Sequence, residues 1–249
     1  MERHLIMSFP LKITLACLLA ATMGCGRDQV EHVVDIPPGI SWASLLMDAT
    51  DMGNLAVPVP PGATSKMSSS CLDSNKVMLA NLAPKILGDM DHGFFKEVVD
   101  ERDGVRATLA EFDGPGVVTW VWSANPTGTI GLFIDGQEDP AIRMSFDDFL
   151  GGRFLPVRDP YSSVNSLGHN LHFPIVHTSQ CKLVVWVPKR ENLAELFYQV
   201  AWQSLPRNSV IHPFDVADVS TNSQVLKQLS RRMLALSRAN GPRPDAYLK

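Results

Sequence analysis

Between Phe112 and Pro140 the chain reads FDGPGVVTWVWSANPTGTIGLFIDGQEDP, a stretch that specifies strands and turns in quick alternation. Val117–Trp122 and Thr129–Asp135 are dense in β-branched and aromatic side chains, which suit a pleated, half-buried surface. Gly114-Pro115-Gly116, Asn125-Pro126 and Asp135-Gly136 punctuate them. The Asp-Gly pair is a strong hairpin signal, because both central residues of a type I′ turn need positive φ.

The same texture runs from about Phe94 to Gln203. Further strands are predicted over Val105–Phe112, Ala141–Ser145, Leu171–Val176, Lys182–Val187 and Leu196–Trp202. Their spacing is that of an all-β sandwich. Phe146–Gly151 and Pro156–Ser166 read as a long excursion, of the kind that serves a site or wraps a neighbour. Helices flank this region. Ser41 caps a short one over Trp42–Met52, with Trp42, Leu45, Leu46 and Ala49 on one face. Pro58, Pro60 and Pro61 then break regular structure, and Thr64–Asp73 reads as a Ser-rich surface loop. A second helix runs from a cap at Ser220 or Thr221 to about Arg238, with Val225, Leu229, Met233 and Leu236 as its apolar stripe. Asn240-Gly241-Pro242 ends it.

With 45% hydrophobic and 19% charged residues, the 249-residue chain can bury a core. A net charge of −4 with scattered basic residues gives no footprint for nucleic acid. Arg3, Lys12 and the apolar Ile13–Ala21 read as a signal peptide, too short to span a bilayer. Thr22-Met23-Gly24-Cys25 resembles a bacterial lipobox, which would lipidate Cys25 and tether the exported chain to the cell envelope; ordinary cleavage nearby is the alternative. Export would permit a disulfide between Cys71 and Cys181, although two separately buried thiols are the simpler account. No CxxC pair, Walker A, Rossmann or G-x-S-x-G pattern occurs, and no metal or cofactor is expected.

The segment GPGVVTWVWSANPTGTIGLFIDGQEDPAI resembles the signature of glycoside hydrolase family 172. The likeness continues through SFDDFLGG (145–152), GHNLHFPI (168–175) and LFYQVAW (196–202), and upstream through the Trp42–Met52 helix, the Ser68–Asp73 loop and Asp91-His92-Gly93. It covers roughly residues 40–235. The resemblance implies a β jelly roll, a linker helix and a second jelly roll, assembled into oligomeric rings. It also implies retaining chemistry on fructofuranosides or arabinofuranosides, which requires two carboxyl groups about 5–5.5 Å apart. The expected organisation is therefore a signal peptide over 1–25, tether and short helix over 26–60, a jelly-roll β-sandwich over 61–206, and a linker with its helix over 207–249. The family's catalytic glutamates are expected in the second jelly roll, outside this sequence. Its Ser-Ser-Tyr-Asp-Arg loop reads here Ser69-Ser70-Cys71-Leu72-Asp73-Ser74, without the basic partner.

Six residues are candidates for a sugar pocket. Asp73 and Asp91 come from the resemblance, and both could equally be loop carboxylates. Trp120 and Trp122 share a face with Val118 on an ideal strand. A core layer is the simpler account, so Trp120 is assigned to the core and Trp122, nearest the strand end, is kept as a pocket candidate. Asn125 either bonds a sugar hydroxyl or closes an Asx-turn. His169 and Asn170, in a Gly-His-Asn turn, are polar pocket candidates; His169 and His172, three apart, would not converge on a metal. The expected function is the first half of a furanoside-acting hydrolase, inactive alone and associating with itself or a full-length relative. The alternative is a non-catalytic envelope module that binds glycan or assists assembly.

Overall fold

A computed structural model of the chain describes residues 38–51, 65–69, 77–78, 92–153, 157–158, 160–165 and 168–240, all within one compact unit. The signal peptide with Cys25, most of the tether, Cys71, Asp73 and Asp91 lie outside the described residues.

Helix α1 spans Trp42–Ala49. Strands β1 (Ser65–Ser69), β2 (Val77–Met78), β3 (Phe94–Phe95) and β4 (Glu97–Glu101) precede the long strands β5 (Gly104–Asp113) and β6 (Gly116–Ser123). Next come β7 (Thr129–Ile134), β8 (Ile142–Ser145), helix α2 (Phe146–Leu150), β9 (Ser162–Asn165), β10 (Gly168–Leu171) and β11 (Ile175–His177). The chain continues with β12 (Gln180–Val187), helix α3 (Glu191–Ala194), β13 (Tyr198–Ser204), and helices α4 (Val216–Thr221) and α5 (Ser223–Asn240).

The strands form a sandwich of two antiparallel sheets. One has the order β1-β13-β6-β10-β9, with β11 also on β6; the other has the order β4-β5-β12-β7-β8. A small β2-β3 pair lies apart from both. The core is what the inner faces share: Val118, Val121, Leu171 and Val200 from the first sheet meet Ala107, Leu109, Ile130, Leu132 and Leu183 from the second. Phe112 of the second sheet stacks on Trp202 of the first at 5.2 Å, and Phe95 of the small pair stacks on Tyr198 at 5.8 Å. The Tyr198 hydroxyl lies 2.7 Å from the Phe94 carbonyl and 3.1 Å from that of Leu109, so even its polar tip is satisfied inside the core.

Several sequence expectations need correction. Ser65–Ser69 is an edge strand on β13 and not a loop, because an edge needs only one paired side and tolerates polar residues. Leu171–Val176 is two strands, β10 and β11, both on β6; Pro174, which has no N–H to give a ladder, lies in the break. Ser162–Asn165, within the expected excursion, pairs with β10. The C-terminal helix is divided: Asp215 caps α4 by accepting the Ala217 N–H at 2.8 Å, and α5 starts only at Ser223.

At the N-terminus Ser41 caps α1 as expected, in a reciprocal pair with Ser44. The buried face is Trp42, Ala43 and Leu46, whereas Ala49 is exposed. Trp42 packs on Phe173 and donates its indole N–H to Asp218 of α4 at 2.7 Å. Phe173 in turn packs edge-on against Tyr161 and Phe214. This aromatic cluster fastens both terminal helices to the sandwich. No described helix is long and apolar enough to cross a membrane.

Candidate functional site: the outer face of β6 and β10

Strand β6 carries one residue more than its partner β13 requires. Ala201 pairs with Trp120 but Trp202 pairs with Val118, which leaves Thr119 unmatched. A bulge of this kind cancels one step of the two-residue alternation. Val118 and Val121, three apart, therefore both enter the core, and Trp120 and Trp122 turn outward. The assignment of Trp120 to the core is thus overturned. Both rings are partly exposed.

Direct cross-strand neighbours share a face, so Trp122 lies between Gln199 of β13 and Asn170 of β10. Asn170 is itself opposite Ser163 on the edge strand β9. The Trp120 indole N–H donates to Asn170 Oδ1 at 3.1 Å, and Asn170 Nδ2 donates to the Gly168 carbonyl at 3.1 Å. Those two bonds fix which way the amide points. His172 stacks on Trp120, with ring centres 6.0 Å apart and planes within 8°. Partial burial there pushes the His172 pKa below its usual value, which favours the neutral imidazole. The Trp122 indole N–H has no hydrogen-bond partner among the described residues, so it remains a donor for a ligand. The face combines flat apolar rings with an oriented amide and a neutral imidazole.

The other candidates lie elsewhere. His169 belongs to strand β10, not to a turn, and its register partners are Ser123 and Val164. Adjacent strand residues point oppositely, so His169 and Asn170 cannot share a pocket. His169 Nε2 lies 3.1 Å from Asp147 Oδ1 on α2, beside the ion pairs of Arg153 with Asp147 and Asp148. Asn125 closes no Asx-turn. It donates from Nδ2 to the Glu195 carbonyl and accepts the Phe197 N–H at 3.1 Å, locking the turn after β6 to the segment before β13. Both polar ends of that amide are occupied.

Asp135 shows what a carboxylate can be used for in this fold. It sits at φ +53, and its carboxylate accepts the N–H groups of Thr178, Ser179 and Gln180. Burial pushes its pKa up, but these donors and the Thr178 hydroxyl outweigh it and hold the group below its usual value. It clamps two turns together. Cys181, on β12, is a buried free thiol.

Sequence reasoning missed Gln199 as the neighbour of Trp122, His172 as the stacking partner of Trp120, and Ser163 as the neighbour of Asn170. The Trp-x-Trp spacing pointed to a shared face, but nothing in a linear pattern shows which strands flank it.

No curated protein matches the chain. The profile of the GH172 first beta-sandwich domain matches residues 63–222, which takes in both sheets and α4. This chain accordingly belongs to the glycoside hydrolase family GH172 and carries that family's first beta-sandwich domain.

Proposed function

We propose that the chain recognises furanosides, either fructofuranosides or arabinofuranosides, on the outer face built by Trp120 and Trp122. The carrying observation is the indole pair turned out of the core beside an amide whose orientation is fixed. A sugar offers an apolar C–H face and a rim of hydroxyls, and partly exposed rings flanked by Asn170, His172 and Gln199 answer to both. The order β1-β13-β6-β10 in one sheet and β5-β12-β7-β8 in the other supports the jelly-roll reading of the sandwich.

In this reading the domain binds and does not cleave. Retaining cleavage needs a nucleophile and an acid/base a few ångströms apart. Asp147 and Asp148 are held by Arg153, and Asp135 is wrapped by backbone donors. Such employment supports a second domain or subunit as the source of the catalytic carboxylates. The protein would work as a homo-oligomer or beside a full-length relative, exported and anchored at the envelope through Cys25. A second reading, an assembly module, draws support from β9, an edge strand on which Val164 is 56% exposed.

The experiment is a titration of the full chain with fructo- and arabino-oligosaccharides, combined with a hydrolysis assay on aryl furanosides. Saturable binding without turnover is the expected result. Turnover by this chain alone would overturn the non-catalytic part. Binding of neither sugar would leave the assembly reading.

A further inference from the structure

The second sheet carries an aromatic site of its own, on its outer face. Trp186 of β12 lies opposite Thr129 of β7 and Arg106 of β5. Its ring leans diagonally across Gly131: a Cβ at that position would lie 2.5 Å from the indole Cζ3 and 2.7 Å from Cη2. Only glycine gives the indole this seat. Arg143 of β8, the register partner of Gly131, places its guanidinium carbon 4.5 Å from the ring centre. Phe133 packs tilted against the ring, with centres 6.3 Å apart. Trp186 is thus held rigid at the surface without being buried.

A concave site of about 500 Å³ opens beside it, bounded by the β4–β5 turn, the start of β7 and the end of β12. That volume falls within the range of sites for small ligands. Its polar groups are unspent. Arg102 and Asp103 in the turn, the Thr129 hydroxyl and the Trp186 indole N–H make no hydrogen bond or ion pair among the described residues. Arg143 makes only its contact with the ring. Nearby Glu101 is different, because Arg106 already pairs with it at 2.9 Å. The free set contains donors on Arg102, Arg143 and Trp186, an acceptor on Asp103, and a hydroxyl that does both.

We propose that this pocket is a carbohydrate site in its own right, taking a neutral sugar unit. A sugar hydroxyl both donates and accepts, so it needs a carboxylate and N–H donors side by side. Asp103 with Arg102 and Arg143 supplies that pairing, and Trp186 supplies the apolar wall. A purely anionic ligand would leave Asp103 as a repulsive neighbour. The inference is independent of the Trp120–Trp122 face, since the two sites belong to different sheets.

The test follows the indole N–H signals of the isotopically labelled full chain, assigned with single Trp→Phe variants. The titrants are inulin-type fructo-oligosaccharides, arabino-oligosaccharides and xylo-oligosaccharides, with oligogalacturonate as the anionic comparator. The Trp186 signal is expected to shift saturably with at least one neutral titrant. Arg143→Ala and Asp103→Ala, both at exposed positions, should each weaken that shift roughly tenfold. A Trp186 signal unmoved by every neutral titrant overturns the proposal, as does a response to oligogalacturonate alone or one indifferent to both variants. Movement confined to Trp120 and Trp122 also overturns it, while sustaining the separate reading of that face.

Discussion

Trp202 donates its indole N–H to His177 Nε2 across 2.8 Å, with both side chains buried in the sandwich. Because Nε2 accepts, the proton of the neutral ring sits on Nδ1. Burial pushes the His177 pKa down to about 4. The folded state therefore binds fewer protons than the unfolded one between that value and about 6.5. The resulting stability is complete above the upper limit and is lost as pH falls to the lower one. The expected loss is on the order of 3 kcal/mol. Denaturant midpoints measured across this window should fall in the native chain and flatten in His177→Gln; equal slopes would remove His177 as the cause.

Gly116 makes the same bond possible from below. A Cβ there would lie 2.2 Å from Trp202 Nε1 and 2.5 Å from Cε2. Gly116→Ala must displace an indole that also stacks on Phe112. A loss of about 2–3 kcal/mol is expected from overpacking, read by chemical unfolding. An unchanged midpoint would mean that Trp202 has room to shift.

Asp135 predicts acid sensitivity of the same sign, set lower on the pH scale. Its folded pKa is lowered, so its contribution is present above the ordinary carboxylate range and disappears as pH falls through the folded value. The group is only partly buried, so solvent screening weakens its interactions. Asp135→Asn should cost about 1–2 kcal/mol at neutral pH and little in strong acid. A cost that stays constant with pH would show that charge is irrelevant to the clamp.

On the proposed sugar face, neighbouring residues should behave differently according to the side they point to. Trp122→Ala should weaken furanoside binding at least roughly tenfold, while costing under about 1 kcal/mol of stability at its partly exposed position. His169→Ala should do the reverse, since His169 faces Asp147. Calorimetric titration of both variants decides it: if His169→Ala abolishes binding and Trp122→Ala does not, the site lies on the other side of the sheet.

Fold class was the most legible property, because it rests on local chemistry. Asp135-Gly136 declared its turn, and both residues adopt positive φ, +53 and +74. Ser41 declared its helix. What escaped was anything depending on the identity of the neighbouring strand. Ser65–Ser69 has no apolar alternation of its own and becomes a strand only because β13 offers it a ladder. His169 and Asn170 are adjacent in sequence, yet a strand sends them to opposite faces. Asn125 looked like a local turn former, yet its partners lie near residue 196, reached only through the fold.

The unmatched Thr119 has a consequence for how the length of this chain can change. Inserting or deleting a residue within a strand ordinarily reverses every side chain beyond it. Removing Thr119 would instead leave Val118 and Val121 inside and both tryptophans outside, because the bulge already holds the surplus. Removing Val121 would shift the phase and drive aromatic bulk toward the core. Strand β6 thus has a single joint at which length can vary without scrambling what lies on either side of it.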